Sequence, residues 1–386
     1  MENVKINLSS QVSFFTIIKT NTEQNQTNNA SNNTSKQILY NFLYDDQINK
    51  KLIIHQIKYN NELKFNNIST IEQKIKYELK YKEEIGNDNI HLIAKSNIDN
   101  KLYLIFVSDN NIYNIYAGIF DIDIDKYFPI LIENSSKLKE IIKQLPDKDY
   151  ITIFEQNKLF FFGGLIAQSK LRSNTLSQTI MHVSNEEESK QISSQNDFIL
   201  NKSCIYFDIE KLDFEKQKFP ENSLIPRYKL GGTCENSLIY LLGGYTSYAN
   251  NHENNENICN NLQFTKFFDD KMHQFSIAKF DGENPKDMID SDINFIKNRF
   301  IISFSGYKYA KIWILDINTN IGTNYNLKEK IKMEEFNKDN FFLRLINCDI
   351  NENSKEINLI IAKIIFNDEN KNIKFDIINR IFKIKI

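Results

Sequence analysis

Cysteine is scarce in this chain. Its four cysteines, Cys204, Cys234, Cys259 and Cys348, lie far apart, and none form a C-x-x-C pair. They read as reduced packing residues of a cytosolic protein, not as a disulfide framework or a zinc ribbon. An excess of one charge is missing too. Against 48 Lys and Arg stand 50 Asp and Glu, a formal net charge of −2. That balance leaves no bulk electrostatic case for nucleic acid or an anionic membrane as a partner. No apolar run approaches the roughly 18 residues of a membrane span, so no membrane insertion is expected. The opening Met1-Glu2-Asn3-Val4-Lys5-Ile6 has no basic segment followed by an apolar run, so no signal peptide is legible. Together these absences place the expectation in the cytoplasm.

Against that background, apolar strands ending in paired glycines stand out. Leu159–Phe162 runs into Gly163-Gly164, and Leu238–Leu242 runs into Gly243-Gly244. Phe300–Phe304 is a third copy, ending in Ser305-Gly306. An apolar strand that stops at Gly-Gly buries its side chains and then turns where a positive φ is needed. Recurrence at several tens of residues marks a repeat architecture.

The stretch from Cys204 to Tyr245 is the most explicit. A strand ends at Asp208, Phe214 follows six residues later, then come Pro226-Arg227-Tyr228, a further strand, and Gly243-Gly244. The offset of six recurs between Asp121 and Tyr127, Asp269 and Phe275, and Asp376 and Phe382, each Asp being read as the end of an apolar strand. Tyr59 precedes Phe65 without an Asp, and Asp316 has Gly322 at the sixth position. This order resembles the kelch repeat, with Phe214 where the family usually has Trp. The resemblance is strong from about 101 to 317 and weaker at both ends. It implies an all-β fold, a kelch-type β-propeller. It also implies that Arg227 orders its blade by bonding the neighbouring blade's backbone or Asp, and that the Asp residues and the aromatics Tyr127, Phe214, Phe275 and Phe382 lock the blades.

On these anchors the chain divides into six blades of four strands, a to d, within a single domain over 1–386. The b strands fall near 37–44, 101–107, 158–164, 237–244, 299–306 and 357–366. Where glycine is missing at the ends of b strands, Asp45-Asp46, Ser108-Asp109 and Asn367-Asp368 stand in, since Asn and Asp tolerate positive φ best after Gly. Val4–Asn7 is left over. It either pairs with the last blade or begins a degenerate seventh. All five prolines fall at strand edges or in connections, and Gly231-Gly232 reads as close packing of an a strand. Ile71–Ile85, with Ile71, Ile75 and Leu79 at i, i+4 and i+8, predicts a helix. Ser135–Ile142, with a Ser cap and Pro146 beyond it, predicts another. Both lie in d–a connections.

Connection lengths are uneven. The b–c loops 165–202 and 246–261 and the d–a loops 71–89, 133–148 and 328–340 are long; most a–b and c–d turns are short. Successive strands of a blade are antiparallel, so the long loops leave by one face, where function concentrates. The exception is the low-complexity insertion 21–35, read as a long a–b loop. Whether 165–202 and 246–261, also low in complexity, are neutral insertions or partner-ordered segments stays open.

Chemistry is harder to find. His55, His91, His182, His252 and His273 include no H-x-x-x-H pair, and only His252 lies near a cysteine, Cys259. No G-x-S-x-G, P-loop or G-x-G-x-x-G occurs. The five arginines, Arg172, Arg227, Arg299, Arg344 and Arg380, come with no catalytic motif. No cofactor, metal or catalytic residue is expected, and Trp313 reads as core. The resemblance implies a non-catalytic interaction scaffold or subunit of a larger assembly, cytoskeletal or ciliary association included, that binds other proteins through the b–c and d–a face. No segment resembling a BTB or F-box module precedes the repeats. The alternative is a propeller enzyme acting on a carbohydrate or small metabolite at a central channel.

Overall fold

The structure, a computed structural model, describes residues 12–17, 37–46, 49–60, 72–87, 90–98, 101–108, 114–132, 136–168, 170, 198–217, 223–247, 257–306, 310–327, 341–367 and 372–384. They belong to two compact units, Met1–Ile132 with Glu334–Ile386, and Glu133–Met333. Six sheets follow one another along the chain, and they are the six blades of an all-β propeller.

In the first unit, β1 (Val12–Ile17), β2 (Gln37–Asp46), β3 (Lys51–Asn60) and β4 (Glu72–Lys80) form an antiparallel sheet in that order. One helical turn follows, α1 (Tyr81–Glu84). The second sheet is β5 (Ile90–Ile98), β6 (Lys101–Ser108), β7 (Ile115–Asp121) and β8 (Lys126–Leu131).

The second unit opens with α2 (Ser136–Ile142) and holds three sheets. The third sheet is β9 (Lys148–Glu155), β10 (Lys158–Ala167), β11 (Phe198–Leu200), β12 (Cys204–Asp208) and β13 (Asp213–Gln217). The fourth is β14 (Gly231–Glu235), β15 (Leu238–Leu242), β16 (Leu262–Phe268), β17 (Lys271–Met272) and β18 (Ser276–Ile277). The fifth is β19 (Asp281–Gly282), β20 (Asp292–Ile296), β21 (Phe300–Ser305), β22 (Lys311–Asp316) and β23 (Ile321–Asn326), with β19 added parallel to β23. The sixth sheet returns to the first unit: β24 (Phe341–Asn351), β25 (Glu356–Asn367) and β26 (Asn372–Lys383).

Each b strand expected from the sequence is present, as β2, β6, β10, β15, β21 and β25. β10 and β21 are apolar without alternation because both faces are covered. β21 is buried at every position and β10 at all but its last. Core clusters form between successive sheets. One joins Leu43 and Ile54 of the first sheet to Leu104 and Phe106 of the second. Another joins Phe160 and Phe162 of the third to Ile239 and Leu241 of the fourth. A third joins Leu242 to Ile301 and the fully buried Trp313.

Three expectations need correction. Ile71–Ile85 is not a helix: 72–80 is the strand β4, paired with β3. Positions 71, 75 and 79 share the parity of a strand as well as the spacing of a helix, so the pattern does not discriminate. A register shift in the β3–β4 pairing skips Lys76, which leaves Leu79 buried while Ile75 faces solvent. Second, Asp45 and Asp46 do not turn the chain at positive φ; β2 runs straight through them and pairs with Leu52 and Lys51. Third, the last sheet has three strands among the described residues, not four. Val4–Asn7, Phe65, Asp109, Asp368 and the insertion 21–35 lie outside the described residues.

Candidate functional site

Among the repeat residues, the second glycine of each pair and the backbone of Arg227 join sheet to sheet. Gly163 and Gly164 have φ of 67° and 87°, and Gly243 and Gly244 of 70° and 83°. The turn aims one amide of each pair at the lead-in of the next sheet. Gly164 N–H donates to Arg227 O and Gly244 N–H to Met288 O, both at 2.9 Å. A Cβ on Gly244 would sit 2.5 Å from Tyr228 O, so the close approach requires glycine as much as the φ does. In the fifth sheet the buried Ser305 takes a different route, its hydroxyl donating to Ile289 O at 2.6 Å. Gly306 follows it, half-buried.

Arg227 is fully buried. Its guanidinium donates to Gly243 O at 3.2 Å, Leu241 O at 3.3 Å, Asn261 O at 3.3 Å, Gln263 Oε1 at 2.8 Å and Cys259 Sγ at 3.2 Å. These partners belong to its own sheet and that sheet's b–c connection. The expectation of side-chain bonds to a neighbouring blade or an Asp is therefore corrected: the backbone carbonyl crosses between sheets, and the side chain braces the sheet it precedes. Burial holds the guanidinium pKa below its ordinary value.

The Asp-to-aromatic spacing has a defined geometry at two of its four sites. Asp208 pairs with Asp213 and Phe207 with Phe214; Asp121 pairs with Lys126 and Phe120 with Tyr127. The carboxylate closes the c–d turn, Asp208 Oδ1 accepting from the amides of Glu210 at 3.0 Å and Lys211 at 3.1 Å. Asp121 does the same with Asp123 at 3.0 Å. The aromatic then faces the strand that carries the Asp and is buried, as Phe214 and Tyr127 are. Asp316 makes this turn too, held by Arg299 at 2.6 and 2.8 Å, which keeps its carboxyl pKa below the ordinary value. Gly322 takes the aromatic's place there, and Phe280 packs on Trp313 at 5.2 Å near it.

The other two sites are corrected. Asp269 is not a strand end; it lies with Asp270 in a two-residue turn at φ 49° and 57°, so the aromatic's pairing position falls to Met272. Phe275 is nonetheless buried, edge-on to Phe162 at 6.0 Å. Asp376 and Phe382 lie in one continuous strand, β26, with no turn between them; they pair with Lys363 and Ile357.

Sequence reasoning missed three joints. Asp45 is buried and accepts from the Tyr81 hydroxyl and, at 3.4 Å, from the amide of Leu92 in the second sheet. A carboxylate acceptor there does what a glycine amide does in the third and fourth sheets. Burial first, then Asp45, raises the Tyr81 pKa far above its ordinary value. Lys158 is buried between Asp208 at 3.6 Å and Asp270 of the next sheet at 2.7 Å. Lys76, the skipped residue of β4, donates to Ile122 O at 2.7 Å and pairs with Asp125 at 3.0 Å. For Asp45 and Lys158, polar residues at the ends of apolar b strands were the available signal.

In the second unit the a–b and c–d turns are tight: 156–157, 209–212, 236–237, 269–270, 297–299 and 317–320. Every long connection leaves by the opposite end. That end has its own apolar cluster, in which Leu165, Tyr228, Tyr245 and Ile289 pack with Phe198, Leu200 and Ile258 from all three sheets. The 165–202 connection begins as a hairpin stem, Leu165–Ala167 pairing with Phe198–Leu200. Asp147 clamps the stem, accepting from Ala167 N at 2.7 Å and Lys170 Nζ at 3.0 Å. α2 packs along β13, as expected of a helix in that connection. In the first sheet the pattern reverses. Connections 18–36 and 61–71 leave by the a–b and c–d end, and b–c is only 47–50, so 71–89 is not a d–a insertion.

Groups able to do chemistry are sparse. His55 is buried in β3, His273 is exposed, and His182 and His252 lie outside the described residues. Among the described residues no group of three metal-ligating side chains occurs, the four cysteines are free thiols, and no helix is long and apolar enough to cross a membrane. Burial, and next the nearby Arg344, push the Lys95 pKa down to about 8, while Asp45 opposes the shift.

No family model and no curated protein matches the chain. Among solved structures, that of YjhT matches over 85% of this chain and 95% of that one, at 9% identity and a TM-score of 0.45. A likeness at that level carries no argument about activity.

Proposed function

We propose that this chain is a kelch-type β-propeller that serves as a non-catalytic interaction scaffold, or as a subunit of a larger protein assembly. Other proteins dock on the b–c and d–a end of the sheets of the second unit. The observation that carries this reading is the lopsided elaboration there: tight turns at one end of three sheets, and at the other a clamped hairpin stem over a shared apolar cluster. A rigid base of that kind lowers the entropic cost of presenting loops to a partner. The four free thiols fit work in the reducing cytoplasm. Large apolar side chains are exposed at the other end, Phe268, Ile317 and Ile321, but only one or two per sheet, which is ordinary for a surface.

The test replaces 171–197 and 248–256 with short Gly-Ser turns and measures capture of native partners. At least one partner is lost while the far-ultraviolet spectrum is unchanged. Full retention of every partner contradicts the reading.

A further inference from the structure

The three sheets of the second unit are held to one another by main chain. Asp149, Lys229 and Asp290 occupy equivalent places at the head of β9, β14 and β20, and each has a positive φ, of 58°, 53° and 48°. Lys229 N–H donates to Asp149 O at 2.9 Å, and Asp290 N–H donates to Lys229 O at 2.7 Å. Lys229 therefore bonds the sheet before it and the sheet after it. These bonds run beside those from Gly164 to Arg227 O and from Gly244 to Met288 O. A residue other than glycine keeps a positive φ only where its surroundings over-determine it. At Lys229 those surroundings are the neighbouring sheets, so the conformation depends on all three being in place. The apolar cluster of Leu165, Tyr228, Tyr245 and Ile289 spans the same three sheets.

The first unit is built differently. Asp45 accepts from Leu92 N at 3.4 Å and Lys76 Nζ donates to Ile122 O at 2.7 Å, so side chains join its first two sheets. Its sheets are also separated along the chain. The third, fourth and fifth sheets follow one another within Glu133–Met333, whereas β24 of the sixth sheet meets β1 only after that whole segment has intervened. Loop-closure entropy grows with the length of chain closed, and contacts between neighbours in sequence are the less costly to form.

We propose that Glu133–Met333 is one cooperative folding unit that stays formed when the sheets of the first unit open. The chain then has a partly open state in which the hairpin stem and its apolar cluster persist. Cooperative units of this kind open at their own free energies, not at the global one.

Urea unfolding of the full chain tests this, because the single tryptophan reports on one unit. Trp313 is fully buried and packs with residues of the fourth and fifth sheets. Its fluorescence is followed beside pulsed hydrogen exchange read by mass spectrometry. Peptides over 102–107 and 357–364 lose protection at a midpoint about 1 M urea below that of Trp313. Peptides over 159–162, 238–242 and 300–304 lose it with Trp313. Leu104→Ala, which truncates a buried side chain of the first unit, lowers the first midpoint and leaves that of Trp313 in place. If Leu104→Ala does not fold at all, the unaltered chain decides alone. Coincident midpoints in the unaltered chain overturn the proposal. So does a Trp313 midpoint that moves with Leu104→Ala, or loss of 238–242 before 102–107.

Discussion

The amide of Gly164 donates to the carbonyl of Arg227 at 2.9 Å, tying the end of one sheet to the start of the next. From the same residue the guanidinium reaches three carbonyls, a side-chain amide and a thiol of the sheet that follows. One residue therefore serves two joints, backbone outward and side chain inward. No carboxylate accepts from it among the described residues, so its buried charge is stabilised by dipoles alone.

Arg227→Ala leaves those acceptors buried without a donor and opens a cavity. A loss of about 3–5 kcal/mol is expected in urea unfolding. Arg227→Lys recovers little, because one ammonium cannot span acceptors that the planar fork reaches on both sides.

Phe214 is fully buried, 4.9 Å from Phe207 and 6.0 Å from Phe161. Phe214→Ala costs about 3–5 kcal/mol as a large aromatic truncation. An unchanged urea midpoint would mean that the ring does not sit between these strands.

Strand positions were legible in the sequence because doubly covered b strands are continuous apolar runs and Gly-Gly marks where two of them turn. The joints were less legible. Asp45 sits where glycine was sought, and a carboxylate accepting from Leu92 reverses the polarity of a glycine amide donating to Arg227; spacing cannot show that reversal. Asp376 and Phe382 keep the offset of six inside one strand, since an offset along the chain does not say whether a turn lies between. Position 75 of β4 looked helical because i, i+4 and i+8 also share strand parity. Lys158 carries no signal in the sequence, because only the fold brings Asp270 to it.

The stem at Leu165–Ala167 and Phe198–Leu200 narrows where the long b–c connection can be cut. Deleting 171–197 leaves the thermal midpoint unchanged, because Lys170 and both stem strands remain. Deleting 168–200 lowers it, through loss of β11 and of the Phe198 ring under Lys148 Nζ at 3.8 Å. Equal midpoints for the two deletions would show that the stem contributes nothing.

His55 gives a pH signature. Burial dominates and brings its pKa down to about 4, with Lys51 acting in the same direction and Glu78 against it. In the unfolded chain the imidazole titrates near 6.5. The unfolded state thus binds the proton first, and stability is present above pH ~6.5 and lost as pH falls toward 4. The loss is on the order of 2–3 kcal/mol at pH 4. His55→Gln removes that part of the slope. Identical pH profiles for the two proteins between 6.5 and 4 would contradict the burial of a neutral ring.

The most direct test of the functional account places a photocrosslinking residue at Lys202 or Ser247, at the loop-bearing end, and at Lys211 or Asn318, in c–d turns of the same unit. Native partners are then captured after illumination. Crosslinked partner at 202 or 247, with none at 211 or 318, is the expected result. Crosslinks only at 211 or 318 would put the binding surface at the tight-turn end and contradict the account.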